Sequence, residues 1–207
     1  MEKVFIFIKH HFRILWRLIE WANGLIFQVL FRPSLNRILP RQFLGAEESP
    51  FLFRALKAND AEALHGLIHS QESSDLIYFS PHDFDLPSIE KQFKNRSFLM
   101  MGVFDQERII GYFFLRFFAN RRCFVGRIID HSYRGKGIGN QMNRIMYQTA
   151  WGMNFRCLST MSKNNLAVIR AHSKNSAMVV LKELRDNYIL VEFVKPQSAT
   201  DSIQQAG

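Results

Sequence analysis

The stretch of sequence that decides the fold is YRGKGIGN, residues 133–140, a glycine-rich turn between two segments of regular structure. Residues 123–129 before it are mostly apolar and rich in residues that favour extended backbone, so a strand is predicted there. After the turn, apolar side chains recur at the spacing of an amphipathic helix. The members of that apolar face are Ile138, Met142, Ile145, Met146 and Thr149.

The composition of the turn favours an anion as its ligand. Its glycines, Gly135, Gly137 and Gly139, allow backbone conformations and close approaches that a Cβ atom obstructs. Successive backbone N–H groups can therefore converge on one anion at the N-terminus of the helix. Arg134 and Lys136 add positive charge at the same place. The turn is predicted to hold a phosphate.

Two well-known phosphate-binding patterns do not fit this turn. A P-loop needs a glycine, four residues and then Gly-Lys-Ser/Thr, and no such run follows any predicted strand. The dinucleotide-binding pattern Gly-x-Gly-x-x-Gly has a different glycine spacing and requires an early βαβ unit.

Arg134, Gly137 and Gly139 match the pattern Arg/Gln-x-x-Gly-x-Gly/Ala, so the turn resembles the signature of the GCN5-related N-acetyltransferases, or GNAT superfamily. A predicted strand at residues 155–161 followed by Asn164-Asn165 adds to the resemblance, which covers residues 51–195. It implies that the turn amides hold the pyrophosphate of acetyl-CoA as co-substrate. The cofactor-binding residues implied by it are Ile129, His131, Arg134, Gly135, Lys136, Gly137, Ile138, Gly139, Asn140 and Asn165.

The fold that the resemblance implies is of the α+β class, with a mixed, mostly antiparallel sheet flanked by helices. The apolar segments of the sequence agree with this fold. Residues 97–104 and 109–118 form a predicted hairpin, and residues 123–130 its third antiparallel strand. The other predicted elements are a strand at 51–56, helices at 61–69, 86–95 and 166–173, and strands at 177–184 and 188–194. The predicted domain spans residues 46–195, and residues 196–207 form a flexible tail.

The N-terminal segment, residues 1–45, is predicted to be an amphipathic helix to about residue 31 and then a linker. One helical face carries Phe5, Ile8, Phe12, Leu15, Ile19 and Ala22. Charged residues within every long apolar window argue against a transmembrane helix and a signal peptide. The helix either packs on its own domain or on a second copy in a homodimer, or it lies in a membrane interface with Trp16 and Trp21 at the headgroups.

The stretch from residue 32 to residue 50 contains Pro33, Pro40 and Pro50 together with Gly45. Prolines and glycines interrupt regular structure, so this stretch is predicted to be a linker with at most a short helix inside it.

A net charge of +9 over 207 residues favours anionic partners such as coenzyme A, nucleotide sugars or acidic lipid. Nucleic acid is not expected, because the basic residues are spread out and no recognition motif accompanies them. Cys123 and Cys157 both fall in predicted strands, which indicates buried thiols in a reducing compartment. A cytoplasmic location is predicted, with membrane association left open. No metal site is predicted, because no ligand spacing is recognisable.

Acetyl transfer to an amine requires a group that takes the amine proton and stabilisation of the leaving thiolate. Asp130 and His131 lie at the strand end next to the turn and are candidates for the base; the alternatives are a capping role for Asp130 and a surface hydrogen bond for His131. Counting from Asn165, His172 takes the place where many family members carry a tyrosine; it either donates a proton to the leaving thiolate or is a polar residue that fills a gap. Asn165 either contacts the pantetheine arm or caps a helix.

The resemblance implies that residues 70–87 help to form the acceptor site; the alternative is an ordinary surface loop with a few anchoring aromatic residues. This region contains Tyr78, Phe79, His82, Asp83, Phe84 and Asp85. The predicted function is acyl-CoA-dependent transfer of an acetyl group to an amine by direct attack, with a small-molecule acceptor most in keeping with the charge and a protein amine left open. The alternative is a non-catalytic binding or scaffold protein recruited to a membrane or partner through the N-terminal helix.

Overall fold

The computed structural model describes residues 13–165 and 177–196, and in these ranges the chain forms a sheet of seven strands in the order β1-β2-β3-β4-β5-β7-β6. The strands are β1 (Leu52–Ala55), β2 (Phe98–Asp105), β3 (Arg108–Phe117), β4 (Arg122–Ile129), β5 (Arg156–Ser162), β6 (Met178–Glu183) and β7 (Tyr188–Phe193). Each falls on a predicted strand to within two residues at either end.

Six α-helices lie in the described ranges: α1 (Arg13–Leu30), α2 (Arg32–Leu44), α3 (Ala61–His69), α4 (Ser73–Leu76), α5 (Leu86–Gln92) and α6 (Ile138–Gly152). The predictions of α3, α5 and α6 are confirmed. The predicted helix at 166–173, residue His172 and the tail beyond residue 196 lie outside the described residues, as do residues 1–12 of the N-terminal segment.

The sheet is mixed and mostly antiparallel, which confirms the predicted α+β class. Strands β1 to β4 form antiparallel neighbours, β5 runs parallel to β4, and β7 lies antiparallel between β5 and β6. The single parallel pair requires a crossover connection, and α6 supplies it.

Strands β4 and β5 pair over three residues only. The pairs are Arg122 with Arg156, Cys123 with Cys157, and Phe124 with Leu158. Beyond Phe124 the two strands part, and a bond from the Ser159 hydroxyl to the Val125 carbonyl oxygen, 3.1 Å long, spans the start of the gap. This divergence opens the cleft described below.

Apolar side chains cover both faces of the sheet. One face packs against α6 and the N-terminal helices through residues such as Phe113, Leu115 and Ile145. The other face packs against α3 and α5 through residues such as Leu64 and Ile89. Because strand side chains alternate between faces, the long apolar runs of β2 and β3 fill both layers.

Helix α1 packs on its own domain, but not through the predicted apolar face. Its contacts are made by Glu20, which pairs with Arg116 at 2.9 Å, by Asn23, and by Phe27, whose ring stacks on Phe117 at 4.7 Å. The Asn23 amide donates to the Phe117 carbonyl oxygen at 2.9 Å. Leu15, from the predicted face, is exposed. Polar contacts at the end of β3 thus orient α1 so that the side opposite to its predicted apolar face packs on the domain.

The predicted linker is wrong, because residues 32–44 form the thirteen-residue helix α2. Pro33 lies in its first turn, where no backbone donor is needed, so it does not interrupt the helix. Leu35 and Leu39 are buried in the core against α6, and this packing outweighs the cost of Pro40 inside the helix. None of the helices in the described ranges is long and apolar enough to cross a bilayer.

Truncation of Phe27 tests whether α1 is part of the folded domain. Phe27 is 1% exposed and stacks on Phe117, so F27A should lower the free energy of unfolding by about 3–5 kcal/mol. Val29, on the same helix, is 64% exposed, and V29A should change it by less than about 0.5 kcal/mol. Urea unfolding followed by circular dichroism measures both; similar values for the two variants would contradict the packing of α1.

Candidate functional site

The cleft between the diverging ends of β4 and β5 has a volume of about 790 Å³. Main-chain and side-chain groups of both strands form its walls, α6 closes one side, and the segment around α4 closes the other. The polar residues that line it include Ser74, Asp75, Ser80, Arg127, Arg134, Asn143, Ser159, Thr160, Ser162, Asn164 and Asn165. Because β4 and β5 part here, the cleft extends to both faces of the sheet.

The glycine turn lies where β4 leads into α6. Gly135 and Gly137 have φ values of +78° and +80°, a region that residues with a Cβ atom rarely adopt. Gly137 is the residue that caps α6. Within the described chain, the backbone N–H groups of residues 135–139 donate no hydrogen bond. A row of open donors at the positive end of a helix is suited to bind an anion.

Arg127 brings a second positive group to the turn. A Cβ atom added to Gly139 would lie 2.8 Å from the Arg127 guanidinium, so the glycine makes room for this side chain. The Arg127 Nε donates to the Asn143 Oδ1 at 2.8 Å, and none of the described carboxylates pairs with it. Burial lowers the pKa of Arg127, but a guanidinium remains protonated. The cleft therefore holds an uncompensated positive charge beside the open amides.

Arg134 joins the turn to the opposite wall of the cleft. Its Nη2 pairs with the Asp75 Oδ2 of α4 at 2.5 Å, and its Nε donates to the Ile129 carbonyl oxygen at 3.4 Å. The neighbouring Lys136 ammonium lies 4.5 Å from the centre of the Tyr133 ring. The side chain of Arg134 is thus tied to a carboxylate, while the amides that follow it stay open.

The main chain of β4 also faces the opening. The Asp130 amide donates to the Ile110 carbonyl oxygen of β3, and backbone groups alternate in direction along a strand. The amides of Arg127 and Ile129 therefore point away from β3, toward the gap left by β5. The family resemblance implied Ile129 and His131 as cofactor-binding residues, and the structure shows that the gap between the strands begins earlier, after Phe124.

The two candidates for the base lie beside the cleft rather than in its lining. Asp130 is buried, caps the short 3-10 turn His131–Tyr133, and accepts from Ser132 and from Arg108 at 2.7 Å. Burial opposes its charge, but the Ser132 and Arg108 hydrogen bonds outweigh this and lower the pKa of Asp130. This environment gives Asp130 a structural role. His131 is exposed. Their catalytic roles stay predictions, as does that of His172.

Two other predicted cofactor-binding residues lie at the start of α6. Ile138 is the first residue of this helix and is buried, and the backbone amide of Asn140 donates to the Gly137 carbonyl oxygen. Asn165 lines the cleft at the end of β5, and its amide donates to the Ser162 carbonyl oxygen. Ile129 lines the cleft as well. The structure thus brings Arg134 of the turn, the end of β4 and Asn165 around one cavity.

The predicted acceptor-binding region reaches the cleft only in part. Tyr78 and Phe79 line it, together with Phe114 and Phe124 of the sheet. His82 does not line the cleft, and its Nε2 lies 2.9 Å from the buried Tyr112 hydroxyl. Phe84 packs in the core beyond it, Asp83 is exposed, and Asp85 caps α5 by accepting from the Ser88 amide.

The sequence analysis missed Arg127, Asn143 and Asp75 as residues of this site. Arg127 did carry a signal, because it is the only charged residue in the apolar run of residues 123–129. No feature of the sequence marks Asn143 or Asp75 as a site residue, since polar residues on a helix face or in a loop usually face solvent. Cys123 and Cys157 are fully buried, and burial raises the pKa of both thiols, in agreement with a place in the core.

The model of the acetyltransferase (GNAT) family matches residues 64–176, and this chain belongs to the GNAT acetyltransferase family. The match begins within α3 and continues through the meander, the glycine turn, α6 and β5, so it includes the two strands whose separation opens the cleft. A search of curated proteins found no match.

Solved structures confirm the GNAT fold. The PaiA N-acetyltransferase of Thermoplasma acidophilum in complex with coenzyme A superposes with a TM-score of 0.60 at 15% identity, covering 70% of this chain and 99% of that one. The ribosomal-protein-S5-alanine acetyltransferase of Vibrio fischeri gives 0.58 at 17% identity, covering 70% and 96%. AAC(6')-Ib, in complex with paromomycin and acetyl-CoA, gives 0.54 at 14% identity, covering 69% and 91%.

The environment of Asp130 predicts a pH dependence of stability. A lowered pKa in the folded protein means that Asp130 contributes stability above the unfolded value of about 3.9, and loses it as the pH falls through the folded value. D130N should therefore lower the free energy of unfolding by roughly 1–2 kcal/mol at neutral pH, with a difference that shrinks below about pH 4. Urea unfolding across pH, with exposed D83N as control, measures this; a pH-independent difference would contradict it.

Proposed function

We propose that the protein is an N-acetyltransferase that uses acetyl-CoA as acyl donor and transfers the acetyl group to a small-molecule amine by direct attack. The observation that carries this proposal is the row of amides at residues 135–139, open within the described chain, beside the Arg127 guanidinium, which no described carboxylate pairs. Together they form a cradle for a diphosphate at the mouth of a cleft that crosses the sheet.

The residues present fit coenzyme A along its length. The turn amides and Arg127 would hold the pyrophosphate, because several donors and a desolvated guanidinium suit its negative charge. The Arg127 and Ile129 amides and the Asn165 side chain would hold the amide groups of the pantetheine arm in the gap between β4 and β5. Acetyl-CoA supplies an acetyl thioester, whose C–S bond breaks as the amine nitrogen bonds to the acetyl carbon.

The acceptor would enter from the side of α4, where aromatic groups line the cleft. Tyr78, Phe79 and Phe124 provide an apolar wall there. Asp75 is the one carboxylate among the described lining residues, and it would attract a cationic amine while sharing Arg134. AAC(6')-Ib, one neighbour of this fold, is in complex with paromomycin and acetyl-CoA, which supports a small-molecule acceptor for this proposal.

The amine must lose its proton before or during attack, and the thiolate of coenzyme A must gain a proton. We retain His131 as the candidate for the first role and His172 for the second, because imidazole exchanges protons near neutral pH. Asp130 holds the 3-10 turn that carries His131 and thereby positions it. We propose a cytoplasmic location, in keeping with two buried free thiols.

The glycine turn provides the first test. G137V should weaken binding of acetyl-CoA more than tenfold in isothermal titration, because a β-branched residue disfavours the positive φ that aims the amides inward. G66A is the matched control, since a Cβ atom there meets nothing within 4 Å and the residue lies in α3. Folded wild-type protein that does not bind acetyl-CoA would remove the enzyme proposal.

Arg127 provides the second test. R127M should weaken the binding of acetyl-CoA about ten- to a hundredfold, which is the range expected when a charge-assisted hydrogen bond is lost. R122M changes an exposed arginine at the other end of the same strand and should leave the affinity unchanged. Turnover of S-acetyl-pantetheine, which lacks the pyrophosphate, should be insensitive to R127M; an equal loss with both donors would show that Arg127 acts elsewhere.

Release of free thiol across a panel of amines then separates an enzyme from a scaffold. Aminoglycosides, amino sugars, polyamines and peptides with a free N-terminus cover the small-molecule and protein acceptors. Acetyl-CoA binding without thiol release for any amine would favour the scaffold alternative.

A further inference from the structure

Helix α1 leaves an apolar surface without a partner in the described chain. Its exposed side chains include Leu18 at 55%, Trp21 at 65% and Val29 at 64% exposure, with Leu15, Leu25, Ile26 and Leu30 beside them. At a helical rotation of about 100° per residue, these residues form one continuous stripe along the helix. We call it the α1 stripe.

The stripe lies opposite to the side that holds the helix in place. Glu20, Asn23, Phe27 and Phe31 follow one another at helical spacing and face the domain, where they contact Arg116, Ser97, Phe117 and Phe155. The helix is therefore fixed rigidly by one side, and its other side is presented outward. An apolar stripe of this length on a helix that is already anchored is typical of an interaction surface.

The charge of the N-terminal helices favours an anionic partner for the stripe. Five arginines fall between residues 13 and 45, and the one acid in this range, Glu20, is neutralised by Arg116. Arg17, Arg37 and Arg41 are exposed. A second copy of this surface would bring the same arginines together, whereas a layer of anionic headgroups complements them while its acyl region accepts Leu18, Trp21 and Val29.

From this combination we propose that the α1 stripe binds an anionic lipid membrane, with α1 lying in the plane of the interface. The helix is about 27 Å long at 1.5 Å per residue, and it reaches the apolar boundary from the side rather than spanning the bilayer. The proposal is independent of the acetyltransferase chemistry, because α1 sits at the end of β3 and the glycine turn follows the opposite end of β4.

This placement has a consequence for the cleft. Phe117, against which α1 packs, pairs with Cys123 at the start of β4, while the open amides follow Ile129 at the end of that strand. Membrane bound at α1 would therefore leave the glycine turn accessible to a soluble acyl donor.

Co-sedimentation with vesicles tests the proposal on the full-length protein. Wild type should bind vesicles of equal parts phosphatidylcholine and phosphatidylglycerol, bind phosphatidylcholine alone at least tenfold more weakly, and be released by high salt. The tryptophan emission should shift to shorter wavelength on binding, because Trp21 leaves water.

A matched pair of double variants separates the stripe from general hydrophobicity. L18S/V29S removes two exposed apolar residues of the stripe, and L52S/V180S removes the same residue types at similar exposure on the sheet. The first should lower partitioning onto anionic vesicles roughly tenfold or more, and the second should leave it unchanged. Circular dichroism and titration with acetyl-CoA confirm that both variants are folded.

Three results would overturn the proposal. The first is that wild type does not bind anionic vesicles. The second is that L18S/V29S binds them as strongly as wild type does. The third is that wild type has equal affinity for neutral and anionic vesicles. Sedimentation equilibrium identifies the rival occupant: self-association that L18S/V29S abolishes, without vesicle binding, would assign the stripe to a second copy of the chain.

Discussion

The separation of β4 from β5 after three residue pairs is the constraint on which the rest of the site depends. A continuous ladder would use the backbone groups of Arg127 and Ile129 to bind the neighbouring strand. Because the ladder stops at Phe124, those groups face a cleft, and the same cleft reaches both layers of the molecule. The sheet remains stable despite this gap, since β5 is held on its other side by six pairs with β7.

Positive charge is distributed in the cleft in two different ways. Arg134 is paired with Asp75 and so links the turn to the wall formed by α4. Arg127 has an amide oxygen for a partner and no described carboxylate, so its charge is available to a ligand. Because partly buried charges are costly without compensation, a guanidinium that no described carboxylate pairs, beside open amides, favours an anionic ligand.

The N-terminal helices are part of the same structure as the catalytic domain. Phe27, Leu35 and Leu39 belong to the core that includes α6 and the sheet, so the region before the matched family domain is packed rather than tethered. The polar contacts of Glu20 and Asn23 fix which side of α1 faces inward. This arrangement presents an apolar stripe outward on a supported helix, and the proposed membrane contact rests on that stripe and on the exposed arginines of the N-terminal helices.

The sequence by itself determined the strand, turn and helix around residues 133–140, the meander before them and the family. These features depend on local spacing: apolar alternation, glycines at fixed offsets, and a helical apolar face that the structure buries as predicted at Met142 and Ile145. Only the tertiary structure decided that Arg127 lies against Gly139, that Asp75 reaches Arg134, that α2 is a helix, and that α1 packs through Glu20, Asn23 and Phe27. Each of these depends on groups far apart in the chain, and burial in such contacts outweighs the local preferences that a sequence reveals.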